Sequence, residues 1–203
     1  RHIVRDLGRE DVHFALVGGG PALEDMRRLT SQMQLDDYVE FLGRVPDQKL
    51  LEVLNTADVC VNCDEVNAMN DKSTMNKIME YMALAKPIVQ FELTEGRFSA
   101  RDASLYARPN DAEDFAKKIV TLLEHPELRE RMGRFGRQRV EGQLKWEYEV
   151  PKLLAAYATL FAPPEGVPVL RPPASARSAS KGVTPVAYSR GYAPPRPRSS
   201  PEP

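Results

Sequence analysis

The sequence has few of the residues that build disulfide frameworks and metal centres. Its 203 residues include two cysteines and three scattered histidines. Cys60 and Cys63 form one Cys-x-x-Cys pair in or just after an apolar run. A structural zinc site needs four ligands, and redox motifs place such a pair at the start of a helix. We therefore expect buried or half-buried free thiols, and no metal site is predicted.

Charge of one sign and long apolar runs are also missing. The formal net charge is -1, which gives no overall basic field and no reason to expect a nucleic-acid partner. No apolar run approaches the roughly 20 residues that a membrane-spanning helix requires, and the start lacks a signal-peptide pattern. The predicted location is the cytoplasm, with a contact at the inner face of the membrane left open.

The length suits one domain with a sizeable core and is short for two. The first residue is Arg1 and not Met. Residues 1–10 resemble the end of a helix, with Ile3, Val4 and Leu7 on one side. We therefore expect the chain to begin inside an element and to be part of a longer protein.

Short apolar runs alternate with amphipathic stretches from residue 12 to residue 107. Repeated strand and helix units predict an α/β fold with a Rossmann-like, doubly wound parallel sheet. Ligands of such sheets bind at the carboxyl ends of the strands. The predicted strands are 12–17, 38–42, 58–62, 87–91 and 104–107, and the predicted helices between them are 21–34, 47–56 and 74–84.

Three glycines, Gly18, Gly19 and Gly20, follow the first predicted strand. A dinucleotide-binding fingerprint that starts at Gly18 would need glycine at the position of Leu23, so this motif fails. Two interpretations remain open: a tight turn, or a turn whose backbone approaches a ligand closely.

Residues 70–97 contain the most informative pattern. Met75, Ile78, Met79 and Met82 have the spacing of one buried helical face. Ser73 or Thr74 is predicted to cap the amino end of this helix, and Pro87 prevents its continuation. Ser73, Asn76, Lys77 and Glu80 occupy the opposite face, where the helix amino terminus would favour a phosphate. The alternative is an ordinary solvated Lys77–Glu80 pair.

This stretch resembles the donor-binding segment of the retaining glycosyltransferases of family 4. Four other segments agree with that family in order and spacing, namely 17–21, 38–45, 50–61 and 109–116. The resemblance covers residues 12 to about 160. It implies most of the second domain of a two-domain GT-B glycosyltransferase. Such enzymes transfer a sugar from a nucleotide diphosphate sugar with retention at the anomeric carbon and without a bound metal or other cofactor.

The resemblance also implies site residues. Glu80 matches the second acid of a Glu-x7-Glu motif, which accepts hydrogen bonds from ribose hydroxyls. Lys72 stands where the first acid is expected, so Asp71 is the candidate for the donor sugar and Lys72 for the diphosphate. Asp71 and Lys72 are the predicted catalytic residues. The predicted donor-binding residues are Glu80, Ser73, Thr74, Asn70, Gly18, Gly19, Gly20, Lys77, and Arg44 and Val45 through their main chain. Glu95 and Arg97, placed in the next loop, are weaker candidates.

In that family an acceptor domain and the central strand of the sheet precede the region matched by Arg1. Segments 12–17 and 58–62 would then lack a hydrogen-bonded neighbour. We expect the chain alone to be poorly stable and inactive. Two alternatives are a nucleotide-sugar epimerase of the same architecture and a non-enzymatic binding module. The nucleotide, sugar, acceptor and oligomeric state are left open.

From Asp111 to Phe161 the pattern is helical, and it completes a donor-binding domain at 1–161. Its arginines 129, 131, 134, 137 and 139 are interpreted as solvated surface, with contact to a membrane or acidic lipid as the alternative. Residues 162–203 hold 11 of the 17 prolines, with six Lys or Arg against two Glu. This composition predicts a disordered tail. A partner-binding proline-rich segment is the alternative.

Overall fold

The structure is a computed structural model that describes residues 1–161, so the predicted tail lies outside the described residues. Internal contacts divide the chain into a unit from Arg1 to Ala156 and a second unit that begins at Tyr157. The strands are β1 (Phe14–Val17), β2 (Val39–Gly43), β3 (Cys60–Asn62), β4 (Ile88–Phe91) and β5 (Ser104–Ala107). The helices are α1 (Leu23–Gln32), α2 (Asp47–Thr56), α3 (Asn76–Ala83), α4 (Thr94–Ala100), α5 (Ala112–Glu124), α6 (Pro126–Arg139) and α7 (Trp146–Phe161).

The strands are parallel, as predicted, and they form two sheets. β1 pairs with β2, while β4 lies between β3 and β5. Among the described strands, β1 and β3 therefore each have one hydrogen-bonded neighbour. This confirms the prediction that segments 12–17 and 58–62 have open edges.

The three-stranded sheet has helices on both faces, which confirms the doubly wound arrangement. Successive residues of a strand point to opposite faces. Val89 and Phe91 of β4 join a buried cluster with α5, and the Phe91 and Phe115 ring centroids lie 4.8 Å apart. Ile88 points the other way, into a cluster with Ile78 and Met82 of α3. All four residues of β4 are buried, which explains its lack of polar and apolar alternation.

Helix α6 crosses α3 closely because two of its residues are glycines. A Cβ atom on Gly133 would clash with the carbonyl oxygen of Ala85. A Cβ on Gly136 would lie 3.0 Å from Met82 Cγ. Helix α6 therefore packs closely against the backbone just after α3 and against the Met82 side chain of α3.

Two arginines of α6 are structural, so the prediction that the whole arginine run is solvated is wrong for them. Arg139 is 6% exposed and donates to the carbonyls of Ser99 and Phe98, at 2.8 and 2.9 Å. Arg129 Nη1 donates to the carbonyls of Leu122 and Leu123, both at 2.8 Å. These carbonyls lie in the last turns of α4 and α5, where the helix dipole favours a cation.

The region after residue 111 is helical, as predicted. Pro126 begins α6. Pro151 lies inside α7. None of the described helices is both long enough and apolar enough to cross a membrane.

Candidate functional site

The first predicted turns lie side by side after β1 and β2. The backbone N–H of Gly18 donates to the carbonyl of Gly43 at 2.8 Å. Gly18 has φ +134°, a conformation that side chains rarely adopt, so glycine is required there. Gly19 and Gly20 are exposed, with open space around each Cβ position. Arg44 follows Gly43 directly, so these predicted residues share one edge of the first sheet.

The loop after β3, residues 63–75, is held by its own side chains. Asn67 Oδ1 accepts from the backbone N–H groups of Met69 and Asn70, at 3.0 and 2.9 Å. Asn70 Nδ2 donates to the carbonyl of Glu65 at 2.8 Å. The side chain of Asn70, a predicted donor-binding residue, is thus used to shape the loop.

The next two loops at the same edge are fastened to this one. Asn110, after β5, accepts from the N–H of Val66 at 2.7 Å and donates to its carbonyl at 3.2 Å. Asp71 accepts from the N–H and the hydroxyl of Thr94, at 2.7 and 3.1 Å. The bonds from the Thr94 N–H and then from its hydroxyl hold the pKa of Asp71 below its ordinary value. Both carboxylate oxygens of this predicted catalytic residue are therefore engaged with Thr94.

Glu95 and Arg97 lie in α4, so their predicted placement in a loop is wrong. The carboxylate that caps α4 comes from Asp71, far back in the sequence, and Gly96 lowers the local helix propensity. Glu95 accepts from the Thr74 hydroxyl at 3.0 Å. Arg97 pairs with Glu92 at 2.7 Å.

The predicted caps of α3 are also wrong. The helix begins at Asn76, and Met75 precedes it with no side-chain cap. The Ser73 hydroxyl donates to the carbonyl of Met69 at 2.7 Å, and Thr74 is bonded to Glu95. Because no side chain caps it, the amino end of α3 keeps backbone N–H groups that a ligand can accept from. The buried face of α3 is as predicted, with Ile78 and Met82 fully buried.

The solvated Lys77–Glu80 pair does not form. Lys77 Nζ instead donates to Asp64, just after β3, at 2.9 Å. The side chains of Glu80, Lys72 and Arg44 are exposed and make no hydrogen bond or ion pair with any described residue. Three predicted binding residues thus present unpaired charges, two positive and one negative.

Sequence reasoning missed a buried amide pair at the ends of β3 and β4. Asn62 is 1% exposed and Gln90 is 0% exposed. They are partners in the parallel register. Asn62 Nδ2, Asn62 Oδ1 and Gln90 Oε1 have no hydrogen-bond partner among residues 1–161. The available signal was an amide inside each of two otherwise apolar runs.

The predicted site residues form two groups. One lies after β1 and β2 and the other around the loop after β3, and no hydrogen bond or ion pair among residues 1–161 joins the two. In the same part of the chain, no group of His, Cys, Asp and Glu could hold a metal ion. Cys60 is buried as predicted, which raises the pKa of its thiol to about 12, whereas Cys63 is exposed.

Comparison with known proteins identifies the family of the chain. The model of the family described as "Glycosyl transferases group 1" matches residues 1–125. A GDP-mannose-dependent monoacylated alpha-(1-6)-phosphatidylinositol monomannoside mannosyltransferase of Corynebacterium glutamicum is 25% identical over 142 residues. That alignment covers 68% of this chain and 37% of the relative. The chain therefore spans little more than a third of that relative.

Solved structures show the same fold. The catalytic domain of the cholesterol-alpha-glucosyltransferase from Helicobacter pylori is 27% identical, with a TM-score of 0.52 over 64% of this chain and 78% of that one. A mutant of TarM from S. aureus, solved with UDP, has a TM-score of 0.66 at 18% identity and covers 76% of this chain and 30% of that one. The second likeness concerns the fold alone. Since the family model spans more than half of its residues, the chain belongs to the group 1 glycosyl transferases.

Proposed function

We propose that the chain is the donor-binding part of a retaining glycosyltransferase that uses a nucleotide diphosphate sugar. The observation that carries this proposal is the uncapped amino end of α3, with the unpaired charges of Lys72 before it and Glu80 within it. A nucleotide diphosphate sugar carries both anionic and hydroxyl groups, so it needs cationic groups and N–H donors for the first and a carboxylate for the second.

The diphosphate is the part of the donor on which negative charge increases as the sugar leaves. In the proposal, the first-turn N–H groups of α3 and the ammonium of Lys72 stabilise that charge. The backbone that carries these groups is held before the reaction, because the loop that carries Lys72 is bonded to α4 through Asp71. No bound metal takes part in the proposed mechanism.

Glu80 is the proposed partner of the ribose. An ionised carboxylate only accepts hydrogen bonds and has room for two hydroxyl donors. The carboxylate of Glu80 makes no bond to the described residues that it would have to give up. The base is proposed to lie along the main chain of Arg44 and Val45, and Gly18 to Gly20 leave space for the donor beside them.

The printed names of the relatives suggest which donors to test first. The Corynebacterium relative is named for GDP-mannose, and the TarM structure contains UDP. The relatives named above are sugar-transfer enzymes, so the epimerase alternative is not proposed. In this proposal, a separate acceptor domain would bind the second substrate, which is the acceptor of the sugar.

Calorimetric titration of the protein at its natural length tests the proposal. The ligands are GDP-mannose, UDP-glucose and UDP-N-acetylglucosamine, each with EDTA present. We expect one of them to bind, and Glu80→Ala to weaken that binding by about 1.5–3 kcal/mol, the usual range for hydrogen bonds to a charged group. Glu127, an exposed and unpaired acid at the start of α6, supplies the control Glu127→Ala, which should leave the affinity unchanged. The proposal is wrong if no nucleotide sugar binds, or if Glu80→Ala behaves like the control.

A further inference from the structure

The amide pair Asn62 and Gln90 lies at the carboxyl ends of two neighbouring strands of the second sheet. Asn62 is the last residue of β3, and Gln90 is the last but one of β4. Partners in a parallel register are neighbours whose side chains lie on the same face of the sheet. Both side chains are enclosed, since Asn62 is 1% exposed and Gln90 is 0% exposed. Two amides therefore stand next to each other beneath the proposed donor site.

Neither amide is satisfied by its surroundings. Three of their four polar groups have no partner, and the fourth, Gln90 Nε2, reaches the carbonyl of Gly96 at 3.4 Å. Buried polar groups are nearly always hydrogen-bonded, and an unpaired one lowers stability. A pair of apolar side chains of the same size would fold better here. Residues that lower stability in this way are expected where a site requires them.

Gln90 also supports the helix that holds the site loop. Gly96 of α4 lies so close to Gln90 Oε1 that any Cβ atom there would clash with it. Two residues earlier, Thr94 begins α4 and donates twice to Asp71. A chain of contacts thus runs from Gln90, the register partner of Asn62, through α4 to the residue next to Lys72.

We propose that Asn62 and Gln90 are positioning residues of the donor site, an inference that rests on the function proposed above. Gln90 sets the position of α4 on the sheet through its contacts with Gly96, and Asn62 holds Gln90 in place as its neighbour in the strand register. Thr94 and Asp71 pass that position to the loop that carries Lys72. The pair acts through these contacts and does not itself touch the reacting atoms.

Two nearly volume-conserving variants, Asn62→Leu and Gln90→Met, test the inference in the protein at its natural length. Removing the unpaired polar atoms should leave the melting temperature unchanged or raise it. Amide hydrogen exchange should become faster in residues 70–74 and 94–100, because the contact that positions α4 on the sheet is lost. The dissociation constant for the nucleotide sugar that binds the unaltered protein should rise about tenfold. Ser104, a buried polar residue at the opposite edge of the same sheet, gives the control Ser104→Ala, which should change neither exchange in these segments nor affinity.

Gly96→Ala disturbs the same contact from the side of α4 and leaves both amides in place. It should reproduce the faster exchange and the weaker binding. The same contact can therefore still be tested if one of the amide variants does not fold. The inference is overturned if both segments exchange at the unaltered rate, if exchange rises while donor affinity stays the same, or if the melting temperature of both amide variants falls. If the unaltered protein binds no nucleotide sugar, the proposed function fails, and with it the positioning role. The link between the amides and α4 is then judged by exchange alone.

Discussion

The carboxylate of Asp71 caps a helix that begins at Thr94, 23 residues later in the chain. Helix caps are normally local, so this arrangement makes one rigid unit of the loop after β3 and α4. The predicted catalytic residue Asp71 thus has a structural task that its sequence position does not reveal. Lys72, the next residue, is left exposed and unpaired at the edge of the sheet.

Replacing Asp71 should therefore affect both stability and donor binding. Asp71→Ala removes the cap of α4 and releases the loop. We therefore expect a lower free energy of unfolding and a dissociation constant for the donor that is about tenfold higher. Asp111 supplies a matched control, because it caps α5 locally by accepting from the N–H of Asp114 at 2.9 Å. Asp111→Ala should lower stability similarly and leave affinity unchanged. Urea denaturation and calorimetric titration measure the two effects. Equal affinity in both variants would remove the link between Asp71 and the site.

The same pair predicts a pH dependence. Thr94 lowers the pKa of Asp71 below its ordinary value of 3.8. A carboxyl whose pKa is lower in the folded state stabilises the fold above its unfolded pKa, and this contribution is lost as the pH falls through the folded pKa. The stability difference between the unaltered protein and Asp71→Asn should therefore shrink as the pH falls from about 5 to about 3. A difference that is constant over this range would contradict the assignment.

Arg139 should be needed for stability although it lies in a run of arginines. It is buried and donates to two carbonyls at the end of α4. Arg139→Met should lower the free energy of unfolding by about 2–3 kcal/mol, because bonds from a charged donor are lost. Arg137 lies on the same helix but is exposed and paired with Glu141. Arg137→Met should change stability by less than about 1 kcal/mol, as for most surface ion pairs. If chemical denaturation showed the same loss of stability for both variants, Arg139 would be an ordinary solvated surface residue.

The crossing of α6 over α3 should tolerate no added methyl group at Gly133. Its Cβ would meet the Ala85 carbonyl, which belongs to the backbone and cannot rotate away. Gly133→Ala should lower the free energy of unfolding by about 3 kcal/mol or more, the upper end for an overpacked core. Gly142, with open space around its Cβ position, is the control. Thermal unfolding of the two variants separates a packing effect from a general effect of alanine, and indistinguishable curves would contradict the close crossing.

The open edges of β1 and β3 predict weak stability for the 203-residue polypeptide made on its own. Both strands leave backbone N–H and C=O groups without a neighbouring strand among the described residues, and such edges promote association with other chains. We expect unfolding at low urea concentration and concentration-dependent aggregation in light scattering. A monomer that unfolds cooperatively at several molar urea would contradict this expectation.

Strand and helix periodicity was sufficient to predict most of the fold. β5 and α2 were predicted to the residue, and the buried face of α3 followed from the spacing of its apolar residues. The missing neighbour of segments 12–17 and 58–62 was inferred from family resemblance, because periodicity carries no information about which strands pair; the division into two sheets was not predicted.

The features that could not be predicted from the sequence depend on contacts between residues that are distant in the chain. The carboxylate of Asp71 caps the helix at 94–100 from a distant loop, and no local pattern predicts that contact. Arg139 and Arg137 lie two positions apart and look equivalent, but only the first reaches the end of α4. Ser73 and Thr74 had the chemistry of a cap, yet Met69 and Glu95 engage their hydroxyls.

A crystal structure of the protein with its nucleotide sugar is the decisive test of the proposed donor site. The ribose hydroxyls should lie within hydrogen-bond distance of the Glu80 carboxylate, and the diphosphate at the amino end of α3 beside Lys72. A donor bound elsewhere, with Glu80 still surrounded by water, would contradict it.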